Sequence, residues 1–374
     1  MKRPSSIVQP DESADFDYSL IPSFCEQVVQ NNSGSQAHCD KHENESFHRC
    51  AWLFASQAIR CVRGGKRVFS IDACHLKHTA QYSGQLFNVC GFDGNGHAVT
   101  IGYALAPQED VASYKWFIDL IKKLKIDNDE EFGTILDADG TVIFSDRQKG
   151  LAKAVKEECP RSTHLACCFH LLENTRKTDR QLDAKLFWWV QASFSSDEFE
   201  RRMTKWEESS PAAVAYLRKQ TQEGTIWITH QYIDCEIQTW GLRTSNLSEI
   251  VNARLLQTRH FPPLALMSAT TRQLSLDIVN AKAFGEKLFN KGSTLTPYAQ
   301  KLCEAANRTH MPLHAHPIDD NTCQVNSVRG GTRPDSHSTR TVTFPQPPHQ
   351  RGHCTCHMPT LTGVYCDHAF RAER

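Results

Sequence analysis

The sequence lacks an excess of charge of either sign. Lysine plus arginine and aspartate plus glutamate each number 42 among its 374 residues. A net charge of zero excludes a positive field over the whole molecule, so any surface that binds a polyanion has to be local. A chain of this length is expected to form two or three domains.

Long apolar runs are also missing. No segment reaches the roughly 18 to 20 apolar residues that a membrane-spanning helix needs, so we expect no contact with a membrane. The first residues, MKRPSSIVQPDESADFDYS, do not contain the apolar core of a secretory signal. We therefore expect a reducing compartment, in which the 15 cysteines are buried small side chains, metal ligands or reactive thiols instead of disulfide partners.

Changes in composition and periodicity divide the chain into zones. We predict a polar, irregular segment at 1–45, the first part of an α/β core at 46–175, a helical insertion at 176–240, helices that complete the core at 241–290, and a small C-terminal module at 291–374. In the first zone, YSLIPSFCEQVVQ is spaced like a helix and NNSGSQAHCDKHENES is typical of a loop. Near the end of the insertion, GTIWITHQYI has strand character.

The core zone alternates strands and helices. We predict ESFHRCAWLFASQAIRCV to be a helix and RVFSIDAC a strand, followed by two strands joined by the turn Asp93–Gly96, whose residues accept positive φ. From RVFSIDAC onward, the order is strand, strand, strand, helix, strand, helix, strand, helix. Because this is the order of the ribonuclease H-like fold, we predict an α/β protein with a ribonuclease H-like core.

Two aspartates occupy matched positions in the core zone. Asp72 ends the apolar strand VFSID and Asp146 ends the apolar strand VIFSD. Carboxylates at the carboxyl ends of strands project into the crevice where α/β proteins bind ligands. With a third carboxylate from a helix, they can hold a pair of divalent cations that activate a nucleophilic oxygen. Two alternatives stay open: a helix-capping role for either aspartate, and Asp137 or Asp139 in place of Asp146, although LDADG is more typical of a turn.

The C-terminal module ends in a cluster of soft ligands. Cys354, Cys356, Cys366 and His368 have the spacing C-x-C-x9-C-x-H. Four thiolate and imidazole ligands favour tetrahedral Zn²⁺, and a small segment rich in glycine and proline needs such a staple to fold. The neighbouring His353 and His357 leave the ligand set open.

Six motifs together resemble one family. SIDACHLKH, FDGNG, SDRQKGL, HLACCFHLLEN, TSNLSEIVN and CTCHMPTLTGVYCDHA fall in the same order as the motifs of Mutator-like element (MULE) transposases, in which a SWIM-type zinc finger follows the catalytic domain. The resemblance covers roughly residues 46–370. It implies a DNA transposase with a D-D-E triad, two Mg²⁺ or Mn²⁺ ions at that triad, and Zn²⁺ in the C-terminal finger.

The resemblance also implies residue roles. Asp72 matches the first acid, although Ala73–Cys74 replace the usual Gly-Thr, and Asp146 matches the second acid. Glu249 in TSNLSEIVN matches the third acid, on a helix that returns after the insertion, and Glu173 is the alternative.

Other matched residues extend the implied site. Cys167 and His170 match the Cys-x-x-His element of the family and, with Asn174, are expected in the neighbourhood of the active site, with His164 just before them. Two soft ligands do not complete a zinc site, so we do not predict zinc there. A solvated helix face explains the nearby basic residues as well as DNA phosphate contacts do. These basic candidates are Arg147, Lys149, Lys153, Arg176 and Lys177.

The implied function is two-metal cleavage of double-stranded DNA at transposon ends followed by strand transfer, by a nuclear protein that forms homo-oligomers. The alternative is a domesticated derivative that keeps the fold and the finger and binds DNA as a regulator without cutting it. A metal-dependent ribonuclease would share the core, but it would not explain the C-terminal cluster.

Overall fold

The computed structural model describes residues 18–64, 66–77, 84–126, 134–146, 148–307, 313–319, 321–327, 339–344, 353–362, 366 and 368–369. The strands are β1 Gln36–Lys41, β2 Phe47–Leu53, β3 Val68–His75, β4 Gln85–Phe92, β5 Ala98–Ala106, β6 Val142–Ser145, β7 Thr163–Ala166, β8 Leu313–Pro317, β9 Thr322–Ser327, β10 Thr339–Thr343 and β11 His353–Cys354. The helices are α1 Leu20–Asn31, α2 Ala55–Arg63, α3 Val111–Lys122, α4 Lys149–Glu158, α5 Cys168–Thr178, α6 Ala184–Gln191, α7 Ser196–Glu207, α8 Pro211–Gln222, α9 Thr229–Asp234, α10 Asn246–Arg254, α11 Pro263–Asn290, α12 Pro297–Asn307 and α13 Met358–Thr362.

The chain folds into two compact units. The first unit contains Met1–His164 and Ser245–Ser293, and the second contains Leu165–Thr244 and Thr294–Arg374. Each unit is therefore built from two separate segments of the chain. No helix in the described ranges is both long and apolar enough to cross a membrane.

A mixed sheet with the strand order β1-β2-β5-β4-β3-β6-β7 organises the first unit. β1, β2, β5, β4 and β3 pair antiparallel to one another along this order, and β3 pairs parallel with β6. The boundary between the units falls within β7. The adjacency of β3, β4 and β5 confirms the three neighbouring strands predicted from the sequence.

The turn between β4 and β5 is built by Asp93. Its carboxylate accepts hydrogen bonds from the backbone N–H groups of Asn95 and His97 at 3.0 and 2.8 Å. Gly96 takes a φ of 76°, which a side chain would strain. Arg60 of α2 forms an ion pair with Asp93, so the predicted hairpin is also tied to a helix.

Apolar residues cover both faces of this sheet because side chains alternate along each strand. On β4, Phe87 and Val89 pack with residues of α2, α3 and α4, whereas Leu86 and Cys90 pack with residues of α1, α10 and α11. The sheet is therefore buried between two helical layers. On the second face, α10 lies directly over β3 and β4.

The predicted loop NNSGSQAHCDKHENES was wrong because it contains β1. β1 pairs antiparallel with β2, and its Ala37 and Cys39 pack against the apolar cluster that includes α1. The many polar residues of the segment made it resemble a loop. Pairing with a neighbouring strand outweighed this local composition.

The helix predicted over ESFHRCAWLFASQAIRCV was wrong in its first half. Phe47–Leu53 forms β2, which pairs with β1 and β5, and the helix α2 begins only at Ala55. The segment Cys50–Leu53 is fully buried. A short apolar run buried on both faces has the same sequence pattern in a strand and in a helix.

The second unit combines helices with a small sheet. Phe187 and Trp227 stack with their ring centroids 5.3 Å apart, and Trp206 is fully buried in the same cluster of α5 to α8. The strand character predicted for GTIWITHQYI was wrong, since its second half forms α9 and buries Tyr232. The C-terminal strands form an antiparallel sheet with the order β11-β10-β9-β8.

Candidate active site and candidate metal centre

Asp72 lies within β3, which continues to His75, whereas Asp146 directly follows the last residue of β6. In the parallel pair of β3 and β6, Ser70 is opposite Phe144. Asp72 and Asp146 each follow their member of this pair by two residues, beyond the last paired residues of β3 and β6. The prediction that Asp72 ends its strand was wrong, because β3 continues to His75 through its pairing with β4.

The returning helix α10 docks on β3 through polar side chains. The Ser70 and Ser248 hydroxyl oxygens are 2.6 Å apart, and Asn252 Nδ2 donates a hydrogen bond to Asp72 Oδ2 at 2.8 Å. Ser70 and Asp72 share one face of the strand, and Ser248 and Asn252 are one helical turn apart. Residues two apart on β3 therefore contact residues four apart on α10.

Two further contacts extend this polar row. Asn88 of β4, which is paired with Asp72, donates a hydrogen bond to Asn252 Oδ1 at 3.1 Å. Cys74, two residues beyond Asp72, forms a hydrogen bond with Arg259. Burial raises the pKa of the Cys74 thiol to about 11, while the charge of Arg259 acts in the opposite direction. None of these partners was identified from the sequence.

Glu249 lies in the first turn of α10, one residue after Ser248. Its Oε1 atom is buried and has no hydrogen-bond partner among the residues that the structure describes. A buried carboxylate oxygen without a partner is costly. It is also a type of atom that divalent cations take as a ligand.

Asp146 begins the turn that leads into α4. Its Oδ1 accepts a hydrogen bond from the Gln148 backbone N–H at 3.1 Å, and the Gln148 side chain caps the helix by accepting from the Leu151 N–H at 2.7 Å. Gln148 Nε2 also donates to the Glu109 carbonyl oxygen at 2.7 Å. Asp146 thus has a local role in the turn, while Gln148 has the capping role.

Glu109 and Tyr114 are residues of this neighbourhood that the sequence did not indicate. Burial and the nearby charge of Asp146 raise the pKa of Glu109, which forms a hydrogen bond with Tyr114. The pKa of Tyr114 is strongly raised by burial, with further contributions from Glu109, Asp146 and Asp72. Glu109 is therefore close enough to Asp146 for the two carboxyl groups to interact. In the sequence, Glu109 is hidden beside Asp110, the residue that caps α3.

The C-terminal cysteines and histidine form a compact cluster in the second unit. One ligand atom from each of Cys354, Cys356, Cys366 and His368 lies within 4.8 Å of all the others. Sulfur atoms bound to Zn²⁺ at about 2.3 Å in a tetrahedron are about 3.8 Å apart, so a zinc ion fits this cluster with small movements. His353 and His357, whose rings are 5.9 Å apart, lie outside the group.

Within the cluster, the neighbouring thiols favour thiolate at Cys366 and disfavour it at Cys356. Hydrogen bonds from Cys354 and Cys356 lower the pKa of Cys366, and the Ala369 backbone N–H lies 3.4 Å from its sulfur. Cys354 and Cys366 pack on Val325 and Val342 of the small sheet. The strands therefore provide a base for the cluster.

The described ranges contain no second group of three or more His, Cys, Asp or Glu ligands within 4.8 Å of one another. Asp72, Asp146 and Glu249 therefore do not form a group in which all three ligand atoms lie within that distance of one another. Their donor chemistry still fits divalent cations, because all three are carboxylates and Glu249 Oε1 is buried without a partner in the described chain.

The remaining candidates are divided between the units. Lys149 and Lys153 are exposed on α4 of the first unit, and Lys153 lies 3.9 Å from Glu157. Arg147 lies outside the described residues. Asp137 and Asp139 belong to the predicted turn and contact Arg161, through its backbone N–H and its guanidinium respectively.

The Cys-x-x-His element lies in the second unit. Cys167 immediately precedes α5 and is buried, and His170 is on the first turn of that helix. On the same helix, Glu173 forms an ion pair with Arg176, and Asn174 Oδ1 accepts a hydrogen bond from Lys177 at 2.7 Å. Arg176 and Lys177 thus contact side chains of their own helix.

These features define a mixed α/β protein with one carboxylate on β3, another directly after the neighbouring β6, and a separate Cys/His cluster, an arrangement compatible with an α/β transposase. Residues 68–174 match the family model of the MULE transposase domain. The resemblance seen in the motifs is thereby confirmed over β3 to α5, and the cluster at 354–368 is compatible with a C-terminal SWIM-type zinc finger. No curated protein matched the chain.

The matched domain indicates a transposase-related function, of the nuclease or transposase type, and implies DNA binding. The match includes Asp72, Asp146 and Glu173, and it ends before Glu249. The family match therefore gives no information about Glu249.

Proposed function

We propose that this protein is a DDE-type DNA transposase of the Mutator-like class, with Asp72, Asp146 and Glu249 as its catalytic acids. The observation that carries the proposal is the return of α10 to β3. Asn252 of this helix contacts Asp72 directly, and Glu249 lies one turn earlier with a buried oxygen that has no partner among the described residues.

The sheet topology supports a ribonuclease H-like core. The strands β5-β4-β3-β6-β7 follow the order expected of that fold, with β3 at the centre, β4 antiparallel to it and β6 parallel to it. The hairpin β1–β2 extends the sheet beyond β5. The insertion at 176–240 separates the second acid from the third, as in the predicted arrangement.

The proposed reaction is hydrolysis of one DNA strand at a transposon end, followed by attack of the freed 3′-hydroxyl on a target phosphodiester. Asp72, Asp146 and Glu249 would hold two Mg²⁺ or Mn²⁺ ions, which supply Lewis-acid activation of the attacking oxygen and stabilisation of the leaving oxygen. Asn252 orients the carboxylate of Asp72, and the turn at Gln148 orients that of Asp146.

Two further parts of the proposal concern binding. Lys149 and Lys153 are exposed on the helix that follows Asp146 and are suited to contact DNA phosphates. The Cys354, Cys356, Cys366 and His368 cluster would hold a structural Zn²⁺ that fixes the C-terminal module on its sheet.

A plasmid-nicking assay tests the catalytic proposal. Purified full-length protein with Mg²⁺ or Mn²⁺ should convert supercoiled DNA to the nicked form, and Asp72→Asn or Asp146→Asn should abolish this conversion. Asp139→Asn is the matched control, since Asp139 is paired with Arg161 in the turn before β6 and should not affect nicking. DNA binding by the wild-type protein without any cleavage would favour the alternative of a regulator that does not cut DNA.

A further inference from the structure

Asn252 uses both ends of its side-chain amide in the contact between α10 and the sheet. Its Nδ2 donates to Asp72 Oδ2 at 2.8 Å, and its Oδ1 accepts from Asn88 Nδ2 at 3.1 Å. An amide with a donor contact at one end and an acceptor contact at the other has a fixed orientation. The Asn252 amide is therefore held so that its N–H points at the carboxylate.

Asn88 is itself held in place. It is fully buried on β4, and the Cys90 thiol lies 3.9 Å from its Oδ1 atom. Two hydrogen bonds run in one direction, from Asn88 to Asn252 and from Asn252 to Asp72. In such a chain each hydrogen bond polarises the next, which strengthens the final donor.

The docking of α10 does not depend on Asn252 alone. Leu247, Val251 and Leu255 bury their side chains against the sheet, and Ser248 contacts Ser70. Removal of the Asn252 amide should therefore leave α10 docked on the sheet, but without the contact that fixes its exact rotation over β3. What it removes is the hydrogen bond that fixes the plane of the Asp72 carboxylate.

The same contact sets the position of Glu249. Asn252 and Glu249 are three residues apart on α10 and therefore neighbours on its surface. A helix whose Asn252 is bound to Asp72 and Asn88 has a fixed rotation and height over β3, which places Glu249 relative to the first acid. One side chain thus links the two ends of the proposed triad.

We infer that Asn252 is a positioning residue that orients the carboxylate of Asp72 and sets the register of Glu249, with Asn88 as its support. This inference rests on the proposed function, because it assigns Asn252 to the cation-binding step of the same site. Outer-shell hydrogen bonds to ligating carboxylates contribute about 10- to 100-fold in metal affinity or activity.

The test compares Asn252→Ala and Asn88→Ala with Asn280→Ala, a control on an exposed part of α11. Binding of Mn²⁺ to the full chain is measured by electron paramagnetic resonance without DNA, and nicking is measured over a range of Mn²⁺ concentrations. We expect Asn252→Ala to weaken Mn²⁺ binding about 10- to 100-fold, with a smaller loss for Asn88→Ala. High Mn²⁺ should restore nicking in Asn252→Ala, the Michaelis constant for DNA should stay unchanged, and the thermal unfolding midpoint should stay close to that of the control.

Asn252→Asp provides a second variant of the same shape. Its carboxylate has to share a proton with Asp72 at this distance and also offers a new cation ligand, so it is compared with Asn252→Leu, which keeps the approximate side-chain volume, cannot donate a hydrogen bond and should weaken Mn²⁺ binding like Asn252→Ala. Wild-type Mn²⁺ binding and nicking in Asn252→Ala and Asn252→Leu, with loss of both in Asp72→Asn, would overturn the inference and leave the proposed function intact. Wild-type behaviour of Asp72→Asn would instead overturn the proposed function.

Discussion

Asn252 donates a hydrogen bond to Asp72 across a separation of 180 residues. Between the two residues the chain completes the sheet and passes through the helices of the second unit before it returns as α10. The candidate site is therefore assembled only after the returning segment has docked on β3. A variant in which that segment is displaced should lose the site while the helices of the second unit keep their own core.

The third acid can be assigned by comparing two glutamates. Glu249→Gln should abolish plasmid nicking, because the buried Oε1 would lose its charge and its capacity to bind a cation. Glu173→Gln should retain wild-type nicking, since Glu173 is paired with Arg176 on α5. Loss of nicking in Glu173→Gln together with normal nicking in Glu249→Gln would reverse the assignment.

The C-terminal cluster should contain one zinc ion per chain. Cys366→Ser is expected to lose that zinc, because it removes one of four ligands whose atoms lie within 4.8 Å of one another. Atomic emission measurements on purified protein give the metal content. Cys235→Ser is the matched control, since Cys235 is exposed and lies outside the cluster, and it should keep the zinc. Equal zinc contents in the two variants would contradict the assignment.

The sequence predicted the centre of the sheet better than its edge. The turn at Asp93–Gly96 has residues that accept the positive φ a tight turn requires, so the β4–β5 hairpin was identifiable from local chemistry. β1 and β2 depend on each other for pairing, and β2 also on β5. Their local sequences resemble a loop and a helix, because the strand conformation depends on pairing partners that lie elsewhere in the chain.

The same division applies to the candidate site. Asp72 and Asp146 were proposed from the sequence because each follows an apolar run, and the strands that contain these runs, β3 and β6, pair in parallel. Asn88, Asn252 and Glu109 were not identifiable. Asparagine on a strand or a helix, and glutamate before a helix cap, have many ordinary roles. Their contacts with the acids exist only in the folded first unit.

His164 should make the stability of the first unit depend on pH. It lies 2.7 Å from Ser145, next to Asp146, and burial lowers the pKa of His164 from 6.5 to about 4. The unfolded chain therefore binds a proton at higher pH than the folded chain, so stability is full above pH 6.5 and falls as the pH decreases towards 4. The expected loss is about 3 kcal/mol, from about 1.4 kcal/mol for each unit of pKa shift.

Urea unfolding between pH 7 and pH 4 measures this loss. His164→Gln should unfold with a weaker dependence on pH over that range, because the replacement cannot be protonated. His314→Gln, at an exposed position on β8 of the second unit, should keep the wild-type dependence. Parallel curves for wild-type protein and His164→Gln would show that His164 does not control acid stability.

Substitution of alanine for glycine should have different effects on stability at Gly102 and at Gly285. A Cβ atom on Gly102 of β5 would lie 2.4 Å from the Trp52 carbonyl oxygen, so β2 and β5 could not keep their pairing without a backbone shift. Gly102→Ala should therefore lower the free energy of unfolding by about 1–3 kcal/mol or more. A Cβ atom on Gly285 of α11 would contact nothing within 4 Å, and alanine is the better helix former. Gly285→Ala should leave stability unchanged or raise it by up to about 1 kcal/mol, and thermal unfolding of the two variants in parallel compares them.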